Sequence, residues 1–188
     1  MTRRILHLLA VAVLSAPCTV SMVAQHATIE ELRARAKEGD AGAQNELGSL
    51  YYAGKVVLQD NTAAARWIKR AADQGYAPAQ YNLGLLYFRS RGVTGGDAEA
   101  ATWYRRAAEQ GYAPAQGGLG YMLAYGAGVD ENHVQAYMWL ELAWNGAAND
   151  FTRHLYTQQR DELAQRMTVE QITDAKRLAG EWDEAHPR

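Results

Sequence analysis

Nucleophiles, metal ligands and acid–base pairs are sparse and scattered in this chain. Five histidines stand at 7, 26, 133, 154 and 186, without a His-Glu-x-x-His motif or a second cysteine to complete a ligand set. His133 and His154 read as surface residues. A serine nucleophile of the Ser-x-x-Lys type needs a lysine three residues on, but Ser15, Ser21, Ser49 and Ser90 are followed there by Cys18, Ala24, Tyr52 and Val93. Gly48 to Lys55 superficially suggests a phosphate loop, yet five residues separate its glycines instead of four, and Val56 stands where Ser or Thr is required. The neighbouring carboxylates Asp161-Glu162 and Asp183-Glu184 fall on expected helices among basic residues, where solvated charge is their ordinary role. No catalytic residue, metal site or cofactor is assigned.

Composition narrows the partners. With 19 Lys and Arg against 21 Asp and Glu, the formal net charge is -2, and the basic residues do not cluster, so no footprint for nucleic acid is present. The 188 residues suffice for one domain with a stable core.

The first residues carry an address. Met1-Thr2-Arg3-Arg4 is a short basic segment and Ile5 to Leu14 an apolar run interrupted by His7, followed by small residues. That run is far shorter than the ~20 residues that span a bilayer. Residues 1–24 therefore read as a general-secretion signal peptide, cut after Met22-Val23-Ala24. The expected product is a bacterial protein, periplasmic or secreted, without stable membrane insertion. Cys18 does not fit a lipidation site, because Ser15 replaces the usual Leu and Pro17 adjoins the cut. It is also the one cysteine, so the mature chain must be stable through packing alone.

The elements that would position any site are announced by a repeat. Gln-Gly-Tyr-Ala-Pro-Ala-Gln occupies 74–80 and again 110–116, and three blocks of 36 residues, 39–74, 75–110 and 111–146, align without a gap. Ala-Gln recurs at 43–44, 79–80 and 115–116; Leu-Gly at 47–48, 83–84 and 119–120; Trp at 67, 103 and 139. Each block reads as two helices. Gly75 and Gly111 permit the positive φ that ends one helix, and Pro78 and Pro114 suit the first turn of the next. Ala43, Leu47, Leu50 and Gly54 share one face of the first helix. The second helix carries a stripe such as Ala64, Trp67 and Ala71, read as buried and structural. Gly48, Gly84 and Gly120 cost roughly 1 kcal/mol each against Ala in a helix interior, which a closely packed neighbouring helix would offset.

The run Ala79-Gln80-Tyr81-Asn82-Leu83-Gly84-Leu85-Leu86-Tyr87, then Ala100-Ala101-Thr102-Trp103-Tyr104-Arg105-Arg106-Ala107-Ala108, resembles the Sel1-like repeat, a cousin of the tetratricopeptide repeat. The Gly-x-Gly-Val turn of that family stands intact at Gly126-Ala127-Gly128-Val129 and is altered in the first two blocks. The resemblance implies an all-α, right-handed α-solenoid of helix-turn-helix repeats that acts in protein–protein interaction. Some exported members resemble inhibitors or adaptors of membrane signalling and polysaccharide-export machinery.

The flanks complete the expected architecture. Residues 25–38, with Thr28-Ile29-Glu30-Glu31 as a capping box, form an N-terminal capping helix, and 147–188 form two C-terminal capping helices, around Phe151 to Gln165 and from Thr168 to Glu184. In such a stack the first helices line the concave side. Their outward positions are Asn45, Ser49 and Tyr52; Tyr81, Leu85 and Phe88; Gly117, Tyr121 and Tyr125. These positions differ between blocks, which frees them for a partner, and their aromatic character suits a protein or peptide. The expected function is an exported, monomeric interaction scaffold. Two alternatives stay open: that these rings pack between repeats, and that the protein is a cell-wall-related enzyme or muropeptide binder whose site the C-terminal helices complete.

Overall fold

A computed structural model describes residues 28–187; the signal peptide expected at 1–24 lies outside them. Among the described residues there are nine helices and no strand. They are α1 (28–38), α2 (Ala41–Ala53), α3 (Asn61–Asp73), α4 (Ala77–Phe88), α5 (Asp97–Ala108), α6 (Ala113–Tyr125), α7 (His133–Asn145), α8 (Asp150–Ala164) and α9 (Val169–Ala185). Helices pair within each block, α2 with α3, α4 with α5 and α6 with α7, and successive pairs stack through α3 on α4 and α5 on α6. The chain is an all-α solenoid whose far end is closed by α8 and α9 against α7.

Local chemistry fixes the helix ends. Asp60 and Asn132 accept from the Ala63 and Gln135 amides at 2.8 and 2.9 Å, capping α3 and α7. The corresponding residue in the middle block is Gly96, and there the Gly96 amide donates to Glu99 at 2.8 Å instead. At α9, Thr168 and Gln171 form the reciprocal capping box expected from their spacing.

The glycines within the first helices mark close contact between paired helices. A Cβ on Gly48 would stand 2.5 Å from Ile68 Cγ1, on Gly84 2.7 Å from Tyr104 Cδ1, and on Gly120 2.8 Å from Leu140 Cγ. The connecting turns differ for a related reason. Gly92 and Gly128 have φ of +72° and +68°, and a Cβ there would lie within 2.1 Å of the Asn61 carbonyl oxygen and 2.2 Å of the Asp97 carbonyl carbon. Each turn thus rests on the start of the second helix one block earlier. The first block has no such predecessor, so its turn carries Val56, which is 51% exposed.

A ladder of buried glutamines, missed in the sequence as anything more than a match, joins one block to the next. Gln44, Gln80 and Gln116 donate to the carbonyls of Ala36, Ala72 and Ala108 at 3.0, 3.3 and 3.3 Å. The first two also accept from Gln74 and Gln110, at 2.8 and 2.7 Å. The third counterpart is Gly146, and the Gln116 Oε1 has no donor.

The tryptophan stripe is less uniform than its spacing suggests. Trp67 and Trp103 are half-buried, each with an arginine guanidinium over the ring, Arg70 at 4.7 Å and Arg106 at 4.4 Å. Only Trp139 is buried, because Trp182 of α9 packs edge-on against it at 5.9 Å. His133 is likewise half-buried, its Nε2 2.6 Å from Glu131 Oε1, while His154 is exposed.

Candidate partner-binding groove

The first helices of neighbouring blocks lie side by side, joined by Asn82 Nδ2 donating to Asn45 Oδ1 at 2.9 Å and by Arg89 Nη1 donating to the Tyr52 hydroxyl at 3.2 Å. Beyond the α6–α7 pair the repeat stops, and α8 supplies the next wall beside α6. Its Tyr156 ring lies on Gly117, where a Cβ would meet Tyr156 Cε1 at 2.4 Å. Tyr104 occupies the space beside Gly118, the next residue. The two side chains missing at 117 and 118 are thereby replaced by two rings from other helices.

Between α4, α6 and α8 runs a groove of about 280 Å³. One wall is Tyr81, Leu85, Phe88 and Arg89; the floor is Tyr104, Gly117, Gly118 and Met122; the other wall is Leu155, Tyr156 and Gln159. Tyr121 and Gln159 also line a second hollow of about 280 Å³, reaching to Tyr125, Glu162 and Arg166. The Oε1 of Gln159 is buried and accepts no hydrogen bond. Along the rim the rings of Phe88 and Tyr121 meet edge-on at 6.1 Å, those of Tyr121 and Tyr125 lie tilted at 4.8 Å, and the Arg166 guanidinium sits 5.9 Å over Tyr125.

The expected face residues separate into three groups. Phe88, Tyr121 and Tyr125 are 39%, 41% and 53% exposed. Asn45, Ser49, Tyr52, Tyr81 and Leu85 are half-buried. Tyr81 in particular packs on Tyr104 and Tyr112 at 5.5 and 5.7 Å, and the Ser49 hydroxyl donates to its own helix at Asn45. Gly117 is buried beneath Tyr156. The face reading missed Arg89, Tyr104, Leu155, Tyr156 and Gln159. Tyr104 alone carried a signal, being the polar-tipped residue in a register otherwise filled by Ile68 and Leu140.

The phenols of Tyr81, Tyr104, Tyr112 and Tyr156, in and around the groove, are buried or half-buried. Burial raises the phenols of Tyr81, Tyr112 and Tyr104, the last well above the usual range, and pushes Tyr156 up to about 12. Arg89 opposes the shift at Tyr81 and Tyr104. The groove joins apolar rings to hydroxyl donors and a cation at its edge. Among the described residues no group of His, Cys, Asp and Glu is placed to hold a metal, and no helix is long and apolar enough to cross a membrane.

Paired helices stacked in register define an α-solenoid of short repeats. The Sel1 repeat model matches residues 41–76, 77–112 and 113–143, more than half of the chain, and the protein belongs to that family. Members of the family generally mediate protein–protein interaction on a scaffold that is generally non-catalytic. Among solved structures, a Sel1 repeat protein from Oxalobacter formigenes is 32% identical over 69% of this chain and 56% of its own, with a TM-score of 0.59. A second is c5321, a protective antigen of uropathogenic Escherichia coli strains displaying an SLR fold. It is 27% identical over 84% of this chain and 41% of its own, with a TM-score of 0.61. The chain thus spans about half the length of these relatives. No curated protein matches it.

Proposed function

We propose that this protein is an exported scaffold that holds a protein or peptide segment in the groove of α4, α6 and α8, and so regulates or recruits that partner. The observation that carries the reading is the continuous rim of exposed rings, Phe88, Tyr121 and Tyr125, above a partly apolar groove. Tyrosine and phenylalanine give large contact area at low entropic cost, which is how binding surfaces concentrate their energy. Export rests on the basic and apolar pattern of residues 1–24, and the scaffold acts as a monomer in the periplasm or outside the cell.

A pull-down from a bacterial envelope extract tests the reading, with the native chain beside a Phe88→Ala/Tyr121→Ala variant. A protein retained by the first and lost by the second, both being equally helical, is the expected result. Equal retention would remove the groove from the account. Fractionation and the intact mass of the recovered protein test export, expected as recovery outside the cytoplasm with residues 1–24 absent.

The completion of the groove by α8 favours a second reading, a small-ligand binder for cell-wall fragments. Thermal stabilisation by muropeptides would support it, and an unchanged midpoint across a panel of them would count against it.

A further inference from the structure

One cation of the groove wall lacks the counter-charge that seven other described cations have. Arg33, Arg35, Lys69, Arg153, Arg160, Arg166 and Arg177 each pair with a carboxylate. Arg89, on the groove wall, has no carboxylate partner among the described residues and donates to the neutral Tyr52 hydroxyl. It closes α4 as the C-cap residue and lines the groove with Tyr104 on the floor and Tyr156 on the opposite wall. Tyr104, which Arg89 senses electrostatically, has no hydrogen bond to another described side chain, so its hydroxyl keeps its proton for a partner. Next to it, Phe88, Tyr121 and Leu155 offer apolar surface at 39%, 41% and 40% exposure.

From this geometry we infer that the groove recognises a carboxylate carried beside an apolar side chain, the carboxylate bound by Arg89 with the Tyr104 hydroxyl and the apolar group seated between Phe88, Tyr121 and Leu155. The occupant is a peptide segment, and the inference rests on the scaffold reading above. Charge complementarity selects it: an anion gains a charge-assisted hydrogen bond from Arg89, whereas a cation would face that guanidinium across a partly desolvated groove. The volume of about 280 Å³ admits a few side-chain groups, those of a short stretch of chain.

Display of random peptides on the full-length protein, with selected sequences then synthesised with free and with amidated C-termini, tests this inference. Enrichment of Asp or Glu next to Leu, Phe or Tyr is expected, or of an apolar last residue whose binding needs the free terminus; the two syntheses separate these sources. Arg89→Gln should weaken such a peptide by about tenfold, and changing its acid to the amide should add little further loss in that variant. Peptides without acidic bias that bind equally to Arg89→Gln, yet are lost with Phe88→Ala/Tyr121→Ala, would overturn the carboxylate inference and leave the groove standing. Failure of any peptide to be enriched would overturn both.

Discussion

Gly128 and Val56 occupy the same position of the repeat and have opposite tolerances. At Gly128 a side chain meets both a left-handed backbone and the Asp97 carbonyl carbon at 2.2 Å, so Gly128→Ala should cost about 3 kcal/mol, read as a fall in the urea midpoint. At Val56 no repeat block precedes the turn and the side chain is half exposed, so Val56→Ala should change stability by less than about 0.5 kcal/mol. Equal effects would contradict the stacking of each turn on the block before it. The groove phenols supply a second test. The pKa of Tyr156 is raised from 10.0 to about 12 by burial, so the native state holds its proton where the unfolded chain releases it. That contribution is fully present below pH 10 and is lost as the pH rises through about 12. Chemical unfolding from pH 8 upward should show a plateau and then a decline, and Tyr156→Phe should make the decline shallower.

At the scale of the element, the middle block is the one with a weak start. Asp60 and Asn132 cap α3 and α7 with side-chain oxygens, while Gly96 caps α5 with none and has open space where a Cβ would go. Its φ of -158° is extended backbone open to any residue. Gly96→Asn should therefore stabilise by about 0.5–1 kcal/mol, through a cap and through less freedom in the unfolded chain, and calorimetry would show a midpoint a few degrees higher. The sequence made these helices legible because three aligned copies mark the same glycines, alanines and caps. It left the groove only half legible. Phe88, Tyr121 and Tyr125 could be placed by helical phase, but α8 lies outside the repeat, and no internal copy indicates that Tyr156 will fill the gap over Gly117. Tyr81 lines the groove, yet its packing on Tyr104 and Tyr112 depends on two neighbouring elements at once. The tryptophans share one phase and differ in burial because only the third meets α9.

For the molecule as a whole, nearest-neighbour stacking makes stability a local property that varies along the chain. The largest cluster joins α5, α6 and α7 to the closing helices, with Leu119, Met122 and Leu142 fully buried, while the cluster at α1 and α2 holds only Leu32, Ala36, Ala43 and Leu47 among its buried members. Amide hydrogen exchange should be slowest in α6 and α7 and fastest in α1; uniform protection would contradict the picture. The uncovered first turn agrees with that gradient, since Val56 and Leu58 stand 51% and 91% exposed at the same end. The two kinds of surface lie apart: the second helices α3 and α5 carry arginine-covered tryptophans, and the first helices α4 and α6 carry the open rings of Phe88, Tyr121 and Tyr125.

Site-specific photo-crosslinking in living cells tests the groove most directly. A benzophenone amino acid would replace Tyr125, on the groove rim, or Thr102, exposed on the second helix of the middle block. The account predicts a discrete protein adduct from position 125 that is lost when Phe88→Ala is added, and none from position 102. An adduct from position 102 alone would place the partner on the opposite face and contradict the assignment of the groove.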